Sequence, residues 1–251
     1  MPTATGPDGS TGTGPDPRRN RLLAGLPAKV YQRVVPDLEQ FHAGMRHEVY
    51  GPGQPIEHVY FPLYSVFSLV AEADGKAVEV ATIGHEGMVG LPVFLGAATS
   101  PNRAFCQIPG PTLRMTAAQL RRLLQDNGVL HTALHHYTQA TLVQLAQSVA
   151  CNRLHDNAQR MSRWILTTHD RMDTDRFTLT HEFLAQMLGV RRATVSEHAA
   201  NLQRQGLITY SRGAMTITDR RGLEGNTCEC YHIVRTEFDA LLGRDRLTPS
   251  S

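Results

Sequence analysis

The spacing of apolar residues changes twice along the chain, and the changes divide it. From Phe41 to about Met115, short runs of Val, Ile, Tyr and Phe are punctuated by Gly and Pro, as in "HVYFPLYSVFSLVAEADGKAVEVATIGHEGMVGLPVF". The stretch "EADGK", Glu72 to Lys76, sets an Asp-Gly step between two alternating apolar runs and predicts a tight hairpin turn. Several such strands at close spacing predict a small antiparallel barrel or roll.

From Thr116 to about Met172 the punctuation almost vanishes, leaving Gly128 and no Pro. Thr116 with Gln119 fits a capping box, and Leu120, Leu123 and Leu124 line one face of a short helix ending at "NGV". Beyond it, Leu130, Leu134, Tyr137, Leu142, Leu145 and Val149 recur at helical steps over several turns. A helix this long predicts a seam against a second copy of the chain, the alternative being a lid on the barrel. The next helix, "LHDNAQRMSRWILTTHD", puts Leu154, Ala158, Met161, Trp164, Ile165 and Thr168 on one stripe and opens a C-terminal domain.

Within that domain Thr180 is a good N-cap, with Glu182 in the first turn to complement the helix dipole. Phe183, Leu184, Met187 and Leu188 give the helix a buried face, Gly189 suits a left-handed C-cap, and a second helix starts within three residues. A short glycine-containing turn between two short helices predicts a helix-turn-helix. In the second helix Val195, Ala199 and Leu202 face the first, while Arg192, Ser196 and Gln203 share another face beside Arg191 and Glu197. Gly206 ends the helix, and "LITYSRGAMTITD" alternates around a turn, as a two-stranded wing would.

That polar face carries major-groove chemistry. Arg can bond guanine O6 and N7 together, Glu can accept from the cytosine amino group, and Ser can serve either. Arg192, Ser196 and Glu197, near the helix start, are therefore the expected base readers. Arg191, Thr194, Arg204 and Arg212, with Arg220, are expected on the phosphates.

Composition adds limits. A net charge of +2 over 251 residues confines any basic patch to a local one. No apolar run approaches a membrane span, no secretory signal opens the chain, and a cytoplasmic protein is expected. Residues 1–19, nearly all Gly, Pro, Thr, Ser and Asp before a few Arg, read as an unstructured tail. The rest divides into a β-roll with flanking helices at 20–115, a helical connector at 116–151 and a DNA-binding domain at 152–251. Cys106, Cys151, Cys228 and Cys230 are too scattered for a disulfide scaffold and read as buried thiols. "CECYH", Cys228 to His232, offers a Cys-x-Cys step with no second pair, so it is assigned to a closing helix or turn and no metal is expected. His131, His135 and His136 likewise have no carboxylate or Cys beside them and read as surface or interface residues.

A roll, a long helix and a winged helix-turn-helix in that order make an α+β chain that resembles the Crp/Fnr family of bacterial transcription regulators. The resemblance runs from about Leu22 to Leu242 and is most specific in "LTHEFLAQMLGVRRATVSEHAANLQRQGLI". It implies a cyclic-nucleotide-binding-like sensor, a dimerisation helix carrying Leu134, Tyr137, Leu142, Leu145 and Val149, and a homodimer reading a pseudo-palindrome in double-stranded DNA. It also implies that Arg192, Ala193, Ser196 and Glu197 occupy base-reading positions. Ala193 stands where many members have Glu, and Glu197 where Arg is common, so a different operator is expected. RNA polymerase would be a further partner of an activator, although no stretch here is specific for it.

In members that bind cyclic AMP, a Gly-Glu pair meets the ribose and an Arg-Ser or Arg-Thr pair meets the phosphate. Here the corresponding positions are Gly90, Leu91, Arg103 and Ala104. With the carboxylate and the hydroxyl both missing, the sensor reads as degenerate for cyclic AMP, and no cofactor is predicted. Two rival readings carry other expectations: a protein-binding adaptor built on the winged helix, or a metal enzyme in the roll using His42, His47, His58, His85, Glu48 and Glu86. The leading reading has no catalytic residue.

Overall fold

A computed structural model describes residues 14–125, 128–211 and 213–243. Order begins before the expected boundary at residue 19. Pro17–Arg19 form a 3-10 turn in which Asp16 accepts from the Arg18 amide at 2.9 Å. The Arg19 guanidinium donates to the Leu63 carbonyl at 2.7 Å and lies 4.1 Å over the Tyr64 ring. Composition flagged the Gly/Pro content but not this anchor. Asn20, fully buried, caps α1 (Arg21–Ala24) and donates to the Pro62 and Gly87 carbonyls. Then comes α2 (Ala28–Val34).

The roll contains β1 (Glu39–Ala43), β2 (Glu48–Tyr50), β3 (His58–Pro62), β4 (Val66–Ala73), β5 (Lys76–Ile83), the single-turn α3 (Leu91–Phe94), β6 (Arg103–Ile108) and β7 (Gly110–Thr116). These form two antiparallel sheets, β1-β7-β3 and β2-β6-β4-β5. Ala73 pairs with Lys76, and Asp74 and Gly75 turn the hairpin with φ of 51° and 70°. Positive φ at both central positions is what an Asp-Gly turn supplies, because its twist matches that of the strands.

After the roll come α4 (Ala117–Gln125), the 27-residue α5 (Gly128–Leu154) and α6 (Asn157–His169). Thr116 and Gln119 form the expected box, each side chain meeting the other's backbone amide. The boundary after α5 lies later than expected. Leu154 ends α5 rather than opening α6, because Asp156 is extended and its carboxylate caps the Gln159 amide at 2.9 Å.

The long helix also has two apolar faces where the sequence suggested one. Leu134 and Tyr137 point inward, are at most 1% exposed and fill the roll's core with Phe61, Phe67 and Met115. They are therefore not free for a dimer seam. Leu142 and Val149 are 56% and 72% exposed, with Leu145 half-buried between them. A stripe read at steps of three to five had merged the two faces.

The remaining elements are β8 (Arg176–Thr178), α7 (His181–Leu188), α8 (Arg192–Arg204), β9 (Ile208–Ser211), β10 (Ala214–Ile217), α9 (Arg220–Gly225) and α10 (Cys230–Leu242). The wing is a three-stranded sheet, β8-β10-β9, whose first strand was not foreseen because it is only three residues long. Nor does α10 stay with the winged helix. It folds back along α5, and Val234, Phe238 and Leu242 enter the roll's core beside Leu22 and Tyr137. By packing, the described residues of the domain expected at 152–251 are thus divided between the winged helix and the roll.

Candidate nucleic-acid interface

The helix-turn-helix is built by local chemistry that the sequence announces. Thr180 Oγ1 accepts from the Phe183 amide at 3.1 Å, starting α7. Gly189, at φ 65°, ends it, where a side-chain-bearing residue would be strained. α8 buries Val195, Ala199 and Leu202 against α7 and leaves Arg191, Arg192, Ala193 and Glu197 exposed at its N-terminal end, with Thr194 half-buried. Arg204 is exposed at the other end, 3.4 Å from Asn201. Arg212, expected at the wing tip, lies outside the described residues.

Three polar residues expected to face DNA are already engaged within the protein. Ser196 donates to the Arg192 carbonyl at 3.1 Å and lies 2.8 Å from His181 Nδ1, so its hydroxyl links the recognition helix to the start of α7. The His181 ring packs on Tyr210, 4.4 Å between centroids, and burial together with Arg192 holds its pKa below the usual histidine range. Gln203 accepts from the Tyr210 amide at 3.0 Å and so ties α8 to the wing. Arg220 is held by Asp170, Glu224 and the Tyr231 hydroxyl, which ties its guanidinium into the protein. Periodicity places a side chain on a face, but it does not reveal what that side chain bonds.

The opposite side of this unit is docked on the roll. The outer face of β4 and β6 contributes Val70 and Phe105 to one core with Trp164, Phe183, Met187 and Leu188. Phe183 meets Phe105 and Trp164 edge to face at 6.3 and 6.4 Å. Within this apolar contact Trp164 Nε1 donates to Glu79 at 2.7 Å, and Ser68 and Thr82 donate to the same carboxylate. Burial pushes the Glu79 pKa up, against the pull of those three donors.

A second polar tie lies at the end of α6. Arg171 and Glu86, 7% and 8% exposed, form an ion pair at 2.7 Å. Arg171 also donates to the Thr82 carbonyl at 3.1 Å, and the Gly84 amide donates to Glu86 at 3.0 Å. Burial pushes the Glu86 carboxyl up, but Arg171, His85 and the backbone amides outweigh it and hold its pKa below the carboxylate range. Gly84 is required here, since a Cβ would overlap the Arg171 side chain. A cavity of about 230 Å³ adjoins the pair, lined by Arg21, His85, Asp170 and Arg235 among others.

The expected ligand-pocket residues do not converge. Alternation along β6 sends Ala104 into the filled core and Arg103 to the outer face. There Arg103 pairs with Glu72 at 2.8 Å and lines a surface cleft with Phe105, Phe183 and Gln186. Gly90, at φ 99°, lies against Val59, and Leu91 packs on the core. The roll's histidines and carboxylates do not gather into a metal-binding group among the described residues; the group that does form is Cys151, His155, Cys228 and Cys230. His131 and His135 instead sit against the Phe94 ring, at 5.1 and 5.0 Å.

These features define a winged helix-turn-helix DNA-binding unit docked on an antiparallel roll. Residues 159–225 match the family described as Crp-like helix-turn-helix domain. Solved structures share the wider fold. FixK2 from Bradyrhizobium japonicum is 17% identical with a TM-score of 0.65, over 76% of this chain and 98% of that one. The c-di-GMP responsive global regulator CLP of Xanthomonas campestris is 17% identical with a TM-score of 0.58, over 76% and 99%. A transcriptional regulator of the CRP family from Thermus thermophilus is 18% identical with a TM-score of 0.57, over 75% and 95%. No curated protein matches the sequence. Residues 159–225 thus carry a Crp-like helix-turn-helix domain, and the chain as a whole shares the fold of these regulators. No described helix is long and apolar enough to cross a membrane.

Proposed function

We propose that the protein is a cytoplasmic homodimer that reads a pseudo-palindromic DNA sequence through Arg192 and Glu197 and grips phosphate through Arg191, Thr194 and Arg204. The observation that carries this reading is the N-terminal end of α8, where Arg191, Arg192 and Glu197 stand exposed while Val195, Ala199 and Leu202 are buried. Arg212, which follows Ser211 in the sequence, is a further candidate for phosphate. Ser196 contributes by holding the helix against His181 rather than by reading a base. Leu142, Leu145 and Val149 would form the seam between copies, since an apolar stripe this exposed on a 27-residue helix is costly to leave in water.

The sensor does not take cyclic AMP by the usual route. Leu91 offers no carboxylate to a ribose, and Arg103 is committed to Glu72 on the outer face. A buried ribose hydroxyl without a partner would cost about 1–3 kcal/mol.

Selection of bound sequences from a random duplex pool, with and without cyclic AMP, tests the reading. A two-fold symmetric sequence with half-site centres about 10 base pairs apart is expected, unchanged by the nucleotide. Absence of any enriched sequence would favour the adaptor reading.

A further inference from the structure

The fold joins two sequence fragments that are uninformative apart. Cys151 and His155 lie one turn apart at the C-terminal end of α5. Cys228 and Cys230 flank the start of α10, 77 and 79 residues after Cys151. All four offer a ligand atom, these atoms lie within 4.8 Å of one another, and the three thiols are buried and unpaired by disulfides. We propose that Cys151, His155, Cys228 and Cys230 form a structural zinc site that fastens the end of α5 to the beginning of α10.

The distances suit one tetrahedral ion. Zinc binds thiolate sulfur near 2.3 Å and imidazole nitrogen near 2.0–2.1 Å, which places neighbouring ligand atoms about 3.8 Å apart for two sulfurs and about 3.6 Å for sulfur and nitrogen. Cys151 Sγ and Cys228 Sγ are 3.5 Å apart, and Cys230 Sγ and His155 Nδ1 are 3.6 Å apart. Three thiolates and one imidazole form a closed, soft donor set, the kind that selects zinc for structure rather than an open site for hydrolysis.

Charge and backbone support the set. On binding, the three thiols release their protons and His155 binds as neutral imidazole, so the zinc complex carries one negative charge. Arg163 acts electrostatically on all three thiols and can offset it, and its buried Nε has no hydrogen-bond partner within the protein. His155, one residue past α5, is held one turn above Cys151 by its amide, which donates to the Cys151 carbonyl at 3.2 Å, and the Tyr231 amide donates to the Cys228 carbonyl to shape the Cys-x-Cys turn.

The position gives the ion a structural task. His155 is the residue between α5 and the Asp156 cap of α6, where the long helix hands over to the DNA-binding unit. α10 returns from that unit to the roll's core. One ion would fix both crossings at a single point.

Elemental analysis of the full-length protein, purified without added metal or chelator, tests the proposal. About one zinc per chain is expected, retained through gel filtration and released by a thiol-blocking mercurial. After chelation, Co(II) alone should give the visible absorption of a tetrahedral cobalt thiolate, and the melting temperature should fall in the metal-free protein and recover with zinc. The Cys228→Ser/Cys230→Ser variant should lose the metal, whereas His155→Cys, which keeps four ligands, should retain it. Background zinc in the wild type with no cobalt spectrum would overturn the proposal, as would zinc retained by the double variant, or a Cys151–Cys228 disulfide in place of metal. The cobalt spectrum is read on the wild type and does not depend on any variant folding.

Discussion

The two sides of the DNA-binding unit contrast in how their polar groups are spent. At the roll, Glu79 is half-buried and Arg171 buried, and each is bonded by groups from both parts of the molecule. On the far side, Arg191, Arg192 and Glu197 of α8 stand in solvent. Buried polar groups are expensive unless satisfied, so the docked side fixes orientation. Exposed guanidinium and carboxylate groups add little to folding and are available to a ligand. Changes on the first side should therefore act on stability, and changes on the second on binding.

The largest effect is expected from Glu86→Ala. It leaves the Arg171 charge buried without its partner, and removal of one member of a buried pair costs about 3–5 kcal/mol. Urea denaturation should show this loss. A loss below about 1 kcal/mol would mean that water reaches Arg171 and that the docked side is not dry.

Next in size is the seam on α5. Leu142→Glu with Val149→Glu puts two charges on each copy where apolar side chains are proposed to meet, and should weaken association at least tenfold, about 1.4 kcal/mol, with little change in fold. Sedimentation measures it; an unchanged dimer would place the interface elsewhere.

The third test sharpens the docked side through pH. Because the Glu79 pKa is raised in the folded chain, the native state holds a proton that the unfolded chain releases near pH 4.5. The contribution of Glu79 to stability should therefore fall as pH rises above that value. Glu79→Gln can still accept from Trp164 and does not ionise, so its advantage over wild type should grow with pH from 4.5 upward. A constant difference in urea midpoints across this range would show that Glu79 is not desolvated.

How much was legible in the sequence follows the range of the interaction. The Asp74-Gly75 turn, the Thr116 and Gln119 box, the Thr180 cap and Gly189 are local devices, and each stands where its residues predict. What needed tertiary information was harder to see. Leu134 and Leu142 share a helical spacing but face opposite environments. Ser196 and Gln203 share the reading face but bond His181 and Tyr210. Arg103 and Ala104, adjacent in sequence, are parted by strand alternation. Cys-x-Cys lacked a visible partner because that partner, Cys-x-x-x-His, lies 73 residues before it and is met only where α10 returns to α5.

The exposed side is tested most directly with Arg192→Ala, using a duplex selected by the wild-type protein and a scrambled duplex of equal length, titrated over a range of salt. If Arg192 reads a base, the variant should lose about 1–3 kcal/mol on the selected duplex and little on the scrambled one, with the melting temperature unchanged. Equal losses on both duplexes would reduce Arg192 to a phosphate contact and contradict the assignment of the N-terminal end of α8 as the reading surface.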